Sequence, residues 1–403
     1  MNTIKIGLIK EGKNPPDKRV PFSPLQVLEI EQRFPHVKVI VQESSHRCYT
    51  DEEYRKSEIS VHPDLSDCDI LMGIKEVPIA NLIADKTYLF FSHTMKKQPY
   101  NRKLLQEILR KNIRLIDYEA LTDTQGNRLV AFGRYAGMVG AYNALLTYGK
   151  RYNSFTLKRA YDCFDVNALK LELRKVMLPP VKIILTGAGR VAKGAMETLD
   201  TAGIRKVSPY DFTHSFFDEP VYVQLGSVDY HLRKEGGNFN RDEFHNHPDR
   251  YYSIFNNYIH HADILLAGAF WNTNAPKLFT REEMLEPTFK IKVIADITCD
   301  INGSVPSTKQ ASTISDPVYD YDPITDSVKP PFSFDRFTTI MAIDNLPCEL
   351  PRSASEEFGH DLINRILRPL LVEDLEGIID RATIARQGNL TPRFSYLEDY
   401  VKG

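Results

Sequence analysis

The first third of the chain alternates short apolar runs with stretches whose apolar residues recur every three or four positions. "TIKIGLI" (3–9), "VKVIVQE" (37–43), "DILMGIK" (69–75), "TYLFFSH" (87–93) and "IRLIDYE" (113–119) are rich in β-branched and aromatic residues and predict strands. Between them, "SPLQVLEIEQRF" offers Ser23 as an N-cap with Pro24 at the first helical position, and "NRKLLQEILRKN" has helical spacing. Strand and helix in alternation predict a mostly parallel sheet with helices on both faces. Ligands bind such sheets beyond the carboxyl ends of the strands. Lys75, His93 and Glu119 each close one of these runs, so three ionisable side chains share one rim. The plainer reading is that strand ends are commonly polar.

The pattern changes at "AFGRYAGMVGAYNALLTYGKRY" (131–152), one long helix whose first half is full of Gly and Ala and which is expected to cross between domains. A second alternating region follows in "VKIILTGAGRVAKGAMETL" (181–199), "IRKVSPYDF", "ADILLAGAFW" and "IKVIADITCD". Residues 211–258, rich in His, Asp and aromatics, read as an irregular insertion. After about residue 335 helix dominates again, and a helical segment without a sheet of its own must pack on something. Its expected place is on the first domain.

Composition narrows the function classes. A chain of 403 residues exceeds one hydrophobic core and suits two domains. Its 42% hydrophobic and 26% charged content is ordinary for a globular protein. A net charge of -2 supplies no general attraction to nucleic acid or anionic membrane, and neither is expected as a partner. No apolar run reaches the roughly 18 residues of a bilayer span, and the start lacks a signal-peptide pattern, so the expected location is cytoplasmic. Cys48, Cys68, Cys163, Cys299 and Cys348 are scattered without a C-x-x-C pair, which suits reduced packing thiols. No metal is expected, His245, His247, His260 and His261 lacking the ligand spacing of a known site.

"TGAGRVAKGA" carries the clearest motif. Gly187, Gly189 and Ala192, with Arg190 and Val191 between them, form G-x-G-x-x-A directly after an apolar strand and before a helix-forming run. The first Gly permits a tight turn, the second lets a pyrophosphate approach the backbone, and the small third residue lets helix meet strand. The phosphates then sit on the helix N-terminus. An acid for the ribose of NAD is expected about 20 residues on, at the end of the next strand. That strand, "RKVSP", ends at Ser208, with Asp211 slightly beyond and Arg205 and Lys206 before. With no carboxylate squarely at the strand end, the motif calls for NAD or NADP without choosing.

These residues carry a resemblance. "GLIKEGKNPPDKRVPFSP" is similar to the N-terminal signature of the alanine dehydrogenase and transhydrogenase superfamily. "KTYLFFSHTMKKQ", "IRLIDYEALTDTQGNRLVAFGRYAG", "HPDRYYSIFNNYIHHADILLAGAFW" and "IDNLPCELPRSASEEFG" resemble the lysine-forming saccharopine dehydrogenases and lysine–ketoglutarate reductases. The resemblance implies an α/β protein of two Rossmann-like domains with a cleft between them: residues 1–134 plus 336–403 for substrate, and 135–335 for the dinucleotide. It implies the interconversion of saccharopine with L-lysine and 2-oxoglutarate through an imine, with hydride transfer to or from NAD(P). By motif position it implies Lys75 and His93 as the catalytic bases, and Arg19, Lys96, Arg128 and Glu119 around a substrate with three carboxylates. It also places Asp296, in "IADITCD", near the nicotinamide. The lone Trp271 either lines the cleft or simply packs.

Two rivals remain at this level. An alanine dehydrogenase acting on a small amino acid would use the same Lys and His, but needs fewer cations than Arg128 and Lys96 supply. A catalytically silent NAD(P) sensor would have no use for two bases. Oligomeric state and the role of the insertion are not legible in the sequence.

Overall fold

The computed structural model describes residues 3–13 and 17–403; residues 1, 2 and 14–16, the last three inside the N-terminal signature, lie outside the described residues. The chain divides into two compact units, residues 1–132 with 351–403 and residues 133–350.

The first unit is built on an eight-stranded sheet, in the order Asn389–Leu390, Thr383–Arg386, Arg114–Asp117, Thr87–Phe90, Ile70–Met72, Ile4–Leu8, Val37–Gln42, Ser60–His62. The six strands from the N-terminal third are mutually parallel. Their burial follows their composition: Ile70–Met72 is buried throughout, as a central parallel strand covered on both faces must be. The helix Pro24–Arg33 begins as the sequence predicts, Ser23 and Gln26 forming a reciprocal capping box. The order reverses at Ile4–Leu8, which has Val37–Gln42 on one side and Ile70–Met72 on the other. Loops leaving the carboxyl ends of strands at such a switch point form a ligand crevice.

The C-terminal segment joins this unit from Pro351, and Phe358, Leu362 and Ile366 share a core with Phe90, Ile116 and Val130. It is not wholly helical. Thr383–Arg386 runs antiparallel to Arg114–Asp117 and pairs with Asn389–Leu390, extending the sheet at one edge. The segment from 336 to 350, read as the start of the helical tail, instead holds the strand Thr338–Met341 of the second unit's sheet. Both strands were hidden by length: four residues inside helix-favouring surroundings leave little periodicity to read.

The second unit has its own eight-stranded sheet, in the order Ser327–Lys329, Val318–Asp322, Thr338–Met341, Val293–Asp296, Ile264–Ala267, Lys182–Thr186, Val221–Leu225, Arg205–Val207. All pairings are parallel except those made by Val318–Asp322 and Ser327–Lys329. The supposedly irregular insertion therefore contributes a main-sheet strand, Val221–Leu225. It also holds a two-stranded ribbon, His231–Arg233 with Tyr251–Ser253.

The long helix Gly133–Tyr152 lies within this unit and crosses the helix Arg190–Thr201 that follows the glycine loop. The small residues explain how closely. A Cβ built on Gly137 would stand 1.8 Å from the Val191 carbonyl oxygen, and one on Gly194 would stand 1.9 Å from that of Arg134. Backbone meets backbone there, so no flexible side chain can yield. Gly137→Ala is expected to cost about 2 kcal/mol, the usual size of an overpacking penalty, and thermal unfolding would show it. A Tm equal to that of the wild type would mean the helices do not touch at this point.

Candidate active site

Lys75, His93 and Glu119 come together because of the sheet, not because their strands reach them. Ile70–Met72, Thr87–Phe90 and Arg114–Asp117 are three neighbouring parallel strands, and each ends two or three residues before the side chain in question. The connecting turns then place them. His93 adopts a left-handed backbone at φ 52°, and Glu119 sits in the 3-10 turn Tyr118–Ala120. Left-handed backbone in a residue with a Cβ carries strain and is held by its surroundings. Ser92, the residue before, is locked by the fully buried Asp117, whose carboxylate accepts from the Ser92 N–H at 2.9 Å and from its hydroxyl. Asn101 donates to the Ser92 carbonyl at 3.0 Å.

Around His93 and Lys75 the structure adds three acids. Glu76 Oε1 lies 2.6 Å from His93 Nδ1 and also accepts from Asn101. Burial opposes ionisation of Glu76, but the hydrogen bond and charge of His93, with the lesser hydrogen bonds, hold its carboxyl down at about 2. A fixed carboxylate on Nδ1 orients the ring. Glu11, beyond the end of Ile4–Leu8 at the switch point, accepts from the backbone N–H of Ile74 at 2.6 Å and of Lys75 at 2.9 Å. Asp17 holds Arg19 in a two-pronged pair, Nε to Oδ1 at 3.0 Å and Nη2 to Oδ2 at 2.6 Å, with both side chains buried. The Arg19 guanidinium also lies 4.1 Å over the Phe132 ring.

The proton affinity of Lys75 is lowered, first by burial and then by the charges of Arg19 and Lys13, against the pull of Asp17 and Glu76. Lys96, in the loop that follows the strand Thr87–Phe90, is engaged elsewhere. It points its ammonium at Glu119, 3.5 Å away, and its side chain is 68% exposed. Arg128 shares the same oxygen, its Nη2 2.6 Å from Glu119 Oε1. Burial works against the charge on Glu119, but Arg128 and Lys96 hold its carboxyl below the usual range. The other oxygen, Oε2, is buried without a hydrogen-bond partner among the described residues. Lys97 is exposed.

Glu76, Glu11 and Asp17 were not among the sequence-derived site residues. Two signals existed. Glu76 directly follows Lys75, and Glu11 stands in the N-terminal signature just after the first strand.

In the second unit the glycine loop has the geometry its motif requires. Gly187 has φ 105°, and a Cβ there would press on the Gly268 carbonyl and the Ala269 backbone. Gly189 caps the helix Arg190–Thr201 and has open space where a Cβ would stand. Ala192 is fully buried. A helix N-terminus with bare backbone on its approach fits a dinucleotide pyrophosphate.

Two cofactor expectations fare differently. Ser208 and Asp211 lie beyond the edge strand Arg205–Val207, which Val221–Leu225 separates from the glycine-loop strand. They cap their own short helix, Ser208 Oγ accepting from the Asp211 N–H at 3.0 Å and donating to its carboxylate at 2.7 Å. Counting about 20 residues assumes that the next strand in sequence is the next in the sheet, and here it is not. The strand beside the loop ends at Leu225. Gln224 donates to the Gly187 carbonyl at 2.9 Å, and Asp229 accepts from the Gly226 N–H at 2.7 Å. Asp296 ends its strand as expected but is fully buried and occupied by Thr298, Cys299 and Thr308. It secures a loop. Trp271 likewise closes its own loop, its indole N–H reaching the Ala275 and Pro276 carbonyls. Among the described residues no group of His, Cys, Asp and Glu is arranged to hold a metal, and no helix is long and apolar enough to cross a membrane.

Comparison with known proteins agrees with this architecture. Residues 7–139 match the family model described as alanine dehydrogenase/PNT, N-terminal domain. The chain is 30% identical to mouse α-aminoadipic semialdehyde synthase over 98% of its own length, but spans 47% of that relative. It is 27% identical to the Neurospora crassa saccharopine dehydrogenase [NAD(+), L-lysine-forming], with 82% of each chain covered. A solved L-alanine dehydrogenase superposes with a TM-score of 0.64 at 14% identity, covering 99% of this chain and all of that one, which establishes a shared fold. Residues 7–139 are thus similar to the alanine dehydrogenase/PNT N-terminal domain. The chain as a whole is similar to saccharopine dehydrogenases and α-aminoadipic semialdehyde synthases.

Proposed function

We propose that the chain is an NAD(P)-dependent oxidoreductase of lysine metabolism that interconverts saccharopine with L-lysine and 2-oxoglutarate. The observation that carries this reading is the grouping of Lys75, His93 and Glu119 beyond three neighbouring strand ends, with Glu76 fixed on the imidazole. Gly187, Gly189 and the Arg190–Thr201 N-terminus would hold the dinucleotide. When bound, its nicotinamide accepts or returns the hydride.

In the oxidative direction Lys75, neutral more readily than an ordinary lysine, takes the proton of the secondary ammonium, so that the nitrogen lone pair can drive hydride loss from the adjacent carbon. His93 then removes a proton from the water that adds to the imine carbon, and the Glu76 carboxylate stabilises the imidazolium so formed. Returning that proton to nitrogen, while the hydroxyl on the same carbon gives up its own proton to a neighbouring base, breaks the C–N bond, expels lysine and leaves 2-oxoglutarate. Arg128, Lys96 and Arg19 supply cations for substrate carboxylates, and arginine offers a two-pronged fork for this.

Turnover is the direct test. The chain should oxidise NADH or NADPH when given L-lysine and 2-oxoglutarate together, and not with pyruvate and ammonia; the opposite pattern would replace this reading with a small-amino-acid dehydrogenase. The ribose is read, we propose further, beside Val221–Leu225 with Asp229 as its acid. Asp229→Asn should then raise NADPH affinity about tenfold relative to NADH, about 1.4 kcal/mol, in a fluorescence titration. Asp211→Asn should change neither. A reversed result would return the ribose to the edge strand.

A further inference from the structure

The turn that carries His93 and the turn that carries Glu119 follow different strands, yet one side chain holds both. Asp117, the last residue of the strand Arg114–Asp117, lies in register with Phe90, two residues before Ser92. Its Oδ1 accepts from the Glu119 N–H at 2.7 Å, and its Oδ2 accepts from the Ser92 N–H at 2.9 Å and from the Ser92 hydroxyl. Asn101 continues the connection on the other side, its amide donating to the Ser92 carbonyl at 3.0 Å and to Glu76 Oε1 at 3.3 Å. A run of hydrogen bonds thus passes from Glu76 through Asn101, Ser92 and Asp117 to Glu119, across the loops that leave three neighbouring strands.

Three observations set this run apart from ordinary turn capping. Capping the turn Tyr118–Ala120 takes one acceptor, and Asp117 uses its other oxygen on a residue 25 positions away. Asp117 and Ser92 are fully buried and Asn101 is 6% exposed, and burying a carboxylate is unfavourable unless hydrogen bonds compensate it. An uncharged hydroxyl would cap the turn at lower cost. The bonds also converge on the residue before His93, whose left-handed backbone at φ 52° needs support. Thr94, fully buried, closes the same turn from its far side, its hydroxyl 2.8 Å from that of Ser92.

We propose that Asp117 and Asn101 are positioning residues that act as one unit through Ser92, holding the His93–Glu76 pair and the Glu119 turn at a set spacing. The inference rests on the proposed function for what that spacing serves: His93 acts on the water, while Glu119 gathers Arg128 and Lys96 for a substrate carboxylate. Asp117 acts only through its neighbours, being fully buried behind them. In Asp117→Asn one carboxylate oxygen becomes an N–H donor, so either Ser92 or Glu119 meets a donor where it had an acceptor. One of the two turns is then released. A displacement of about 1 Å at a reacting group is enough to lower a rate about 10²-fold.

The test has two arms, and the first needs no turnover. Diethyl pyrocarbonate labels accessible imidazoles, and peptide mass spectrometry of the full chain compares His93 with the exposed His360 of the same unit. The ratio of their labelling rates should rise about fivefold in Asp117→Asn and in Asn101→Ala, as local loosening of the His93 turn requires. A purely structural role would lower the Tm and leave that ratio unchanged. In the second arm, with L-lysine and 2-oxoglutarate, each variant should lose about 10²-fold in kcat and keep its NADH dissociation constant within about twofold. The double variant should fall no further than the worse single one, because both residues serve one unit. If the wild type does not turn over this pair, the reaction is wrong and the labelling still decides the positioning. Asn101→Ala carries the test if Asp117→Asn does not fold. The proposal is overturned if His93 labelling is unchanged in either folded variant, or if the double variant loses the product of the two single losses.

Discussion

Lys75→Met is expected to lower kcat by about 10³-fold while leaving the dissociation constant for NADH within about twofold, the middle of the range for removing one positioned acid/base group. The reasoning rests on where the ammonium sits. Burial and the Arg19 and Lys13 charges each penalise the protonated form, so Lys75 gives up its proton closer to neutrality than a lysine in water. Methionine keeps the length and the apolar stem and removes only the titrating end. The pH dependence carries the sharper signature. In the proposed oxidation of saccharopine Lys75 acts as the neutral amine, so on the limb set by Lys75 the rate rises with pH, and that limb should vanish in the variant. If Lys75→Met kept its kcat and its pH limb, the amine proton would go elsewhere.

Glu11→Gln is expected to cost about 2–3 kcal/mol of stability near pH 5, from one lost acceptor and an amide N–H turned toward a backbone N–H. Glu11 uses both oxygens, one on Ile74 and one on Lys75, and glutamine can match only one. The cost should then shrink as pH rises. Burial, and next the Asp17 charge, lift the folded-state Glu11 carboxyl from 4.5 to about 8. Between those values the unfolded chain has released a proton that the folded chain keeps, so wild-type stability falls with rising pH, by at most about 1.4 kcal/mol per unit. Glutamine has no proton to lose. Urea unfolding of both proteins from pH 4 to pH 9 should show the gap narrowing and then reversing in favour of the variant between about 4.5 and about 8, because the wild type loses up to about 5 kcal/mol across that window. A gap that stays constant would mean Glu11 is ionised throughout, as its two backbone donors alone would favour.

The alternation of strand and helix was legible because it is carried by composition over four to twelve residues. Short strands were not: "TIARQGNL" and "FTTIM" give four residues each to a ladder, and pairing rather than periodicity makes them strands. The rim of Lys75, His93 and Glu119 was legible from strand ends alone. The acids that govern it were less so, because Glu11 reaches Lys75 across 64 residues and only the switch point brings them together. Asp296 shows a different ambiguity. A carboxyl at a strand end in the right domain is indistinguishable, in sequence, from one that ties down its own loop with two threonine hydroxyls.

The strand Val221–Leu225 also bears on how the chain reaches its fold. Residues 182–186 and 205–207 leave the ribosome with the crossover helix between them, and they can lie side by side before residue 221 has emerged. In the finished sheet they are not partners, for the later strand stands between them. Synthesis thus passes a stage where the nearest available neighbour is the wrong one. The edge strand must stay unpaired, or let go, until its true neighbour arrives. Three residues make a weak early pair and release easily, and the brevity of Arg205–Val207 serves the order of assembly as much as the final sheet.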